Sequence, residues 1–245
     1  MPTAVVTGAT GGIGSAIARR LASDGAEVIV GYNRSETAAV ELVERLDGQG
    51  HHAVRIPVTS SDGLAAAAST VASHMSHLDV LVNCAGMTEP VPHDDLNALD
   101  DDLIDRIFTT NWRGPFATIR AFRNLVEAAD EPVIVNISSV AAVTGQGSNV
   151  AYCASKAALD SMTRSLARAL GPKVRVVSVS PGWVLGEYAA RMPTEVLDAQ
   201  RGGTPLGRLA TADDVGAAVS AVVRDLPFTT GTTISVDGGR PLGTS

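Results

Sequence analysis

An α/β fold, with a single doubly wound parallel sheet of seven strands flanked by helices, is what this sequence predicts, on two observations. Short, uninterrupted β-branched runs recur along the chain, as in strands buried on both faces. Each is followed by a longer segment of helical period, the alternation that builds parallel sheets through right-handed crossovers.

The elements follow in order. Ala4–Val6 is the first strand, and the helix after it carries Ile13, Ile17 and Leu21 on one face. Val28–Val30 precedes a helix carrying Val40, Val43 and Leu46, and Ala53–Ile56 precedes an alanine-rich helix from about Ser61 to His74. Asp79–Val82 is the fourth strand. An insertion then leads to a helix over roughly Asp101 to Ala129, in which Gly114-Pro115 predicts a bend. Val133–Ile137, Val174–Val179 and Thr232–Val236 complete the sheet. The stretch from Gly182 to Leu209 has weak periodicity. It follows the sixth strand and so falls at the carboxyl edge, where ligands bind in such sheets. It reads as a substrate-covering loop with a short helix near Thr194 to Ala199. No repeat, low-complexity segment or linker divides residues 1–245, so one domain is expected.

Composition excludes several classes. Aromatic residues are only 4%, so Val, Ile, Leu and Ala must build the core. A net charge of −7 offers no electrostatic footprint for nucleic acid or an anionic membrane. The run Asp100-Asp101-Asp102 is short enough to be a helix start. Two cysteines, Cys84 and Cys153, make neither a disulfide framework nor a four-ligand metal site. The histidines (His51, His52, His74, His77, His93) lack metal-ligand spacing, and no metal is expected. No apolar stretch reaches the length of a membrane span. The N-terminus enters a strand without a basic segment before it, so no signal peptide is expected and cytoplasm is the default location.

Thr7-Gly8-Ala9-Thr10-Gly11-Gly12-Ile13-Gly14 lies between the first strand and the first helix. A glycine-rich stretch alone could be a plain turn. At this crossing, however, a dinucleotide's diphosphate needs close backbone N–H groups and a helix N-terminus, and only glycine allows that approach. Gly8, Thr10, Gly12, Ile13 and Gly14 are therefore candidate cofactor residues on a Rossmann-type domain. The second strand ends in Gly31-Tyr32-Asn33-Arg34-Ser35, where NAD-binding domains usually carry an acidic residue for the ribose. Tyr32 replaces it, and Arg34 is placed to pair with the 2′-phosphate of NADP. Tyr32, Asn33 and Arg34 therefore favour NADP(H), with NAD(H) still possible. Glu36 belongs to the first turn of the next helix, where carboxylates are favoured anyway.

Tyr152 and Lys156 are four apart at the start of a predicted helix and share one face. An ammonium beside a phenol lowers its pKa and suits it to general acid–base work. That spacing alone is common. Here it is accompanied by Asn136-Ile137-Ser138-Ser139 ending the fifth strand, Asn83-Cys84-Ala85-Gly86 ending the fourth, and Thr110-Asn111-Trp112-Arg113-Gly114 between them. Each taken singly has a structural explanation, as a cap or a buried-backbone partner.

Taken together with the T-G-x-x-x-G-I-G loop, these segments resemble the short-chain dehydrogenase/reductase family, and most of all its 3-oxoacyl-acyl-carrier-protein reductase-type branch. The resemblance runs the length of the chain. It implies Ser139, rather than Ser138, as the serine that holds the substrate oxygen. It also implies Tyr152 as general acid, Lys156 as the group that tunes it, and Asn111 as a helix-bending residue holding a relay water. Asn83, Ala85 and Gly86 would shape the adenosine side of the cleft, and Pro181, Gly182 and Val184 would lie near the nicotinamide. A pocket walled by Ala141, Gln146, Trp183, Val184, Tyr188 and Met192 suggests a moderately apolar substrate. The C-terminal segment Ser235–Gly239 implies subunit contacts, hence a homo-oligomer, tetramer or dimer.

Two positions depart from the pattern. Pro57 stands where an Asp often contacts the adenine, leaving the Val58 N–H for that role, and Gly186 stands where a Thr often touches the carboxamide. Cys153 reads as packing. The expectation is an NADP(H)-dependent enzyme reducing a ketone or 3-oxoacyl carbonyl to an alcohol. An alcohol or sugar dehydrogenase working oxidatively with NAD(P)+ is the alternative. A catalytically silent NADP(H)-binding sensor or scaffold is the alternative from another class.

Overall fold

A computed structural model describes residues 2–186 and 189–242. The chain runs β1 (Thr3–Val6), α1 (Gly12–Ser23), β2 (Glu27–Tyr32), α2 (Glu36–Val43), β3 (His52–Arg55), α3 (Ser61–His74), β4 (Val80–Asn83) and α4 (Asp101–Phe108). A π-helical turn (Thr109–Arg113) leads into α5 (Gly114–Ala128), followed by β5 (Val133–Ile137), α6 (Ala141–Thr144), α7 (Val150–Leu170) and β6 (Arg175–Pro181). Then come α8 (Thr194–Gly202), α9 (Ala212–Arg224) and β7 (Thr233–Val236).

All seven strands are parallel, in the order β3-β2-β1-β4-β5-β6-β7. The winding reverses between β1 and β4, so a crevice opens past their carboxyl ends. Alternate residues of each strand feed two separate cores. Ala4, Val6, Val28, Val30, Val82 and Val177 pack with α1 and α9, whereas Val5, Ile29, Leu81, Ile134 and Val176 pack with α3, α5 and α7. Both sheet faces are therefore dry, which is why the strands read as apolar runs rather than as alternating patterns.

Two local expectations are corrected. The irregularity in the long helical segment is a π turn at Thr109–Arg113, around the Asn111 expected to bend the helix and directly before Gly114-Pro115, rather than at that dipeptide itself. Pro115 instead sits in the first turn of α5, where its missing N–H is tolerated. In α2 the buried face is Ala39 and Leu42, so Val40, off that face, is exposed, while Val43 and Leu46 pack on the core. Helix α9 opens with a capping box between Thr211 and Asp214, and the Arg208 guanidinium grips Asp214 with two bonds, holding that carboxyl well below the usual range. Asp24 accepts hydrogen bonds from Arg20, Ser220 and Arg224, tying the end of α1 to α9. Among the described residues, no helix is long and apolar enough to cross a membrane.

Candidate active site

The carboxyl ends of β1 and β4 are bolted together by Thr7. Its buried hydroxyl accepts from the Cys84 and Ala85 N–H groups, both at 3.1 Å, and donates to the Val82 carbonyl. Gly8 has a left-handed φ of +65° and lies so close to Ala85 that an added Cβ would stand 2.8 Å from its Cα. Gly14 packs the first turn of α1 onto the loop, since a Cβ there would meet the Gly8 carbonyl at 2.3 Å. Gly12 is different, for it is exposed and a Cβ would meet nothing within 4 Å. Gly11 caps α1 without a side-chain bond, so the helix presents bare N–H groups beside open space. Such a cradle fits a diphosphate. Thr10 and Ile13 are half-buried beside it.

At the end of β2, Tyr32 is buried, with the Glu36 carboxylate close to its phenol. Burial first, then that carboxylate, raises its pKa. Asn33 and Arg34 are exposed, and the Asn33 carbonyl accepts from Arg55 Nε at 3.1 Å. Val58 is half-buried and packs by Gly114.

Helix α7 sets Tyr152 and Lys156 one turn apart. Lys156 is 7% exposed, and its ammonium lies 5.8 Å from the centre of the Tyr152 ring. It donates a 2.8 Å bond to the Ile137 carbonyl at the end of β5. Burial drives the Lys156 pKa down to about 8, partly offset by the Asp160 carboxylate. The Cys84 thiol is pushed up to about 12 by the same burial and stays protonated. The two serines separate in environment. Ser138 is buried, and its N–H continues the sheet onto Val179. Ser139 is half-buried, and its oxygen accepts from the Ala141 N–H at 3.2 Å, which leaves the hydroxyl proton to donate.

Asn111 is fully buried in the π turn. Its Oδ1 accepts from Met87 N–H at 2.8 Å, and its Nδ2 donates to the Met87 carbonyl and to Ser155 Oγ. Gly86 lies between Asn111 and Lys156, since a Cβ there would be 3.4 Å from Asn111 Oδ1 and 3.8 Å from Lys156 Nζ. The Asn111 side chain is thus engaged by the protein itself.

Comparison with known proteins decides the lineage. The family profile described as Enoyl-(Acyl carrier protein) reductase matches residues 8–240. The chain is 32% identical over 241 residues to a 3-oxoacyl-[acyl-carrier-protein] reductase of Staphylococcus aureus, covering 97% of each. The chain belongs to the short-chain dehydrogenase/reductase family. This dehydrogenase/reductase is also 35% identical over 240 residues to cis-4-hydroxycyclohexanecarboxylate dehydrogenase of Sinomonas cyclohexanicum, covering 96% of this chain and 95% of that one. Among solved structures, a short-chain dehydrogenase/reductase titled glucose/ribitol dehydrogenase from Brucella melitensis superposes with a TM-score of 0.91 at 28% identity, covering 98% of this chain and 96% of that one. The protein is an oxidoreductase of this family.

The expected substrate wall of this oxidoreductase is distributed unevenly. Gln146 is exposed and lines an open cleft of about 270 Å³ with His93, Gly145 and Gly147. Ala141 is buried beneath Gly147. Trp183 and Met192 are half-buried, and Tyr188 lies outside the described residues. Val184 pairs with Ala210 in an isolated bridge that closes the base of the 182–209 segment, while Gly182 packs against Asp237 behind Pro181. A larger surface cavity, about 520 Å³, between Arg208, α9 and β7 includes Ala210 and Asp237 but none of the expected wall residues.

Some residues that organise the site carried no role in the sequence reading. Thr7 opens the glycine motif, but nothing in its spacing announces that it clamps Cys84 and Ala85. Asn149 caps α7 three residues before Tyr152, and its residue type and position were the available signal. Asn136, in the middle of β5, bridges Asn83 and Thr163 at 2.8 Å each.

Proposed function

We propose that this protein is an NADP(H)-preferring oxidoreductase that interconverts a ketone or 3-oxoacyl-type carbonyl and its alcohol through Ser139, Tyr152, Lys156 and Asn111. The observation that carries the reading is the buried Lys156 ammonium, fixed to the Ile137 carbonyl and set 5.8 Å from the Tyr152 ring. In that position it stabilises the phenolate and readies Tyr152 to exchange a proton with the substrate oxygen. Ser139 orients that oxygen with its hydroxyl. Pro115 has no N–H to give to the Asn111 carbonyl one turn back, so that carbonyl, rather than the engaged side chain, is the group suited to hold a relay water. Gly8, Gly12, Gly14 and the α1 N-terminus hold the diphosphate. In this reading Gly86, Val58, Pro181 and Gly182 line the rest of the cofactor groove. The bound nicotinamide supplies or accepts the hydride, and the protein supplies geometry and electrostatics.

Arg34 and Arg55 at the end of β2 and β3 support NADP(H). The Glu36 carboxylate beside the Tyr32 phenol favours a second reading, NAD(H), because it puts a negative charge on the same side. The relatives' names include both a reductase and a dehydrogenase, which supports carbonyl–alcohol chemistry in either direction. The exposed, stacked Trp112 and Phe116 suit a homo-oligomer.

The test is fluorescence titration with NADPH and NADH, then turnover on ketones and 3-oxoacyl thioesters. Tyr152→Phe is expected to keep dinucleotide affinity and lower turnover by about 10²- to 10⁴-fold. Undiminished turnover in that variant overturns the assignment.

A further inference from the structure

The loop after β4 is held from two sides by buried asparagines. Asn111 brackets Met87 from the π turn, as described above. Asn149 takes the next two residues from the other side. Its Nδ2 donates to the Glu89 carbonyl at 2.7 Å and to Thr88 Oγ1 at 3.4 Å. Around it, Thr88 and Ser148 share a short hydroxyl–hydroxyl bond, and the Val91 N–H reaches the Ser148 carbonyl at 2.8 Å.

The other end of the same carboxamide faces the catalytic helix. Asn149 is extended, fully buried, and its Oδ1 accepts from the Tyr152 N–H at 2.7 Å. The Tyr152 carbonyl accepts from Ser155 Oγ at 2.8 Å, and that hydroxyl in turn accepts from Asn111. The backbone of Tyr152 is therefore gripped at both ends, and both grips lead back to Met87–Glu89. A serine or threonine would cap a helix as well. A hydroxyl must both accept and donate from one oxygen, whereas the amide reaches the Tyr152 N–H with one atom and the Glu89 carbonyl with another.

We infer that Asn149 is a positioning residue for Tyr152, its carboxamide joining the Met87–Val91 loop to the first turn of α7 and so setting where the phenol stands relative to Lys156. The inference rests on the Tyr152–Lys156 reading of the site. A shift of the phenol away from the ammonium weakens the attraction that favours phenolate, and misaligns the proton donor without touching the diphosphate cradle.

The experiment compares Asn149→Ala and Asn149→Ser with the parent protein in three readouts. These are steady-state kinetics against pH, dinucleotide affinity by fluorescence, and ultraviolet titration of the Tyr152 phenol, taken as the difference from Tyr152→Phe. The chain has only three tyrosines, so that difference is measurable. Asn149→Ala is expected to lower kcat by about 10- to 100-fold, leave dinucleotide affinity within about twofold, and move the phenol titration to higher pH. Asn149→Ser keeps an acceptor for the Tyr152 N–H and is expected to recover thermal stability without recovering kcat or the phenol titration. If Asn149→Ala retains the parent kcat and titration, or if serine restores both, Asn149 is a cap and nothing more. Should Asn149→Ala not fold, the serine variant alone decides. Absence of turnover by the parent protein on every carbonyl would count against the proposed function, while the phenol titration would still decide the role of Asn149.

Discussion

Lys156 Nζ donates to the Ile137 carbonyl at 2.8 Å, so the ammonium of α7 is fixed by the last residue of β5. One bond does not replace the hydration lost on burial, and the lysine pKa falls to about 8 from 10.5. Between those values the unfolded chain binds more protons than the folded one, so stability rises with pH in that window. The full effect is on the order of 3 kcal/mol. Cys84 acts in the opposite sense. Its pKa is raised from 9.0 to about 12, so the folded state holds the proton longer and stability falls as pH climbs above 9. Urea denaturation is expected to show stability rising from pH 8 to 9 and then levelling. Lys156→Met should abolish the rise. Cys84→Ala should extend it toward 10.5, though Cys153 and Tyr32, also raised by burial, oppose it at the alkaline end. An unchanged rise in Lys156→Met would assign the effect elsewhere.

The glycines of the phosphate loop divide into two kinds, and alanine separates them. At Gly14 a Cβ would strike the Gly8 carbonyl, a backbone atom that cannot move aside. Gly14→Ala is expected to lose about 1–3 kcal/mol of stability together with dinucleotide binding. At Gly12 a Cβ meets nothing within 4 Å. Gly12→Ala should keep the parent melting temperature while weakening NADPH binding by tenfold or more, on the order of the 1.4 kcal/mol that a crowded phosphate contact represents. Equal melting temperatures for both variants would contradict this division.

A buried polar chain crosses the sheet from Asn83 through Asn136 and Thr163 to Ser178, with 2.8 Å at each link. Every member is at most 2% exposed. Asn136→Ala strands Asn83 Nδ2 and one lone pair of Thr163 and opens a small cavity. Each stranded group costs about 1–3 kcal/mol, so a loss of at least about 2 kcal/mol is expected in urea denaturation. Asn83 Oδ1 already lacks a partner, so there is no slack in the chain to absorb the change. A loss below about 0.5 kcal/mol would mean that water repairs the gap.

The period of the sequence carried the architecture because both sheet faces are buried. Runs such as Val133–Ile137 have no polar face to blur them, and α3 ends where its alanine-rich pattern ends, at His74. The irregularity in the helix from Asp101 was legible only through Asn111, which the family resemblance marked as helix-bending and which lies inside the π turn. A π turn keeps helical side-chain pattern nearly intact, and Gly114-Pro115 drew attention to the residues directly after it. At the site, Tyr152 and Lys156 stand out because their spacing fixes a helix face. Asn149 and Thr7 do not stand out, because their roles lie in contacts with Glu89, Cys84 and Ala85, more than fifty residues away in sequence.

The dinucleotide preference turns on which charge dominates at the end of β2. Arg34 is exposed, one residue beyond Asn33, whose carbonyl is covered by Arg55. Glu36 is exposed too, and its carboxylate lies close enough to the Tyr32 phenol to raise its pKa, so it adds negative charge beside an incoming phosphate. Under the NADP(H) reading, Arg34→Ala should weaken NADPH binding by about tenfold, the yield of one solvent-screened charge-assisted contact, and leave NADH unchanged. Glu36→Gln should act in the opposite sense, tightening NADPH alone, because it removes a negative charge at nearly the same size. Fluorescence titration of both variants with both dinucleotides reads the two effects separately. If Arg34→Ala leaves the NADPH-to-NADH affinity ratio unchanged while Glu36→Ala lowers NADH affinity, the carboxylate is the ribose reader and the protein works with NAD(H).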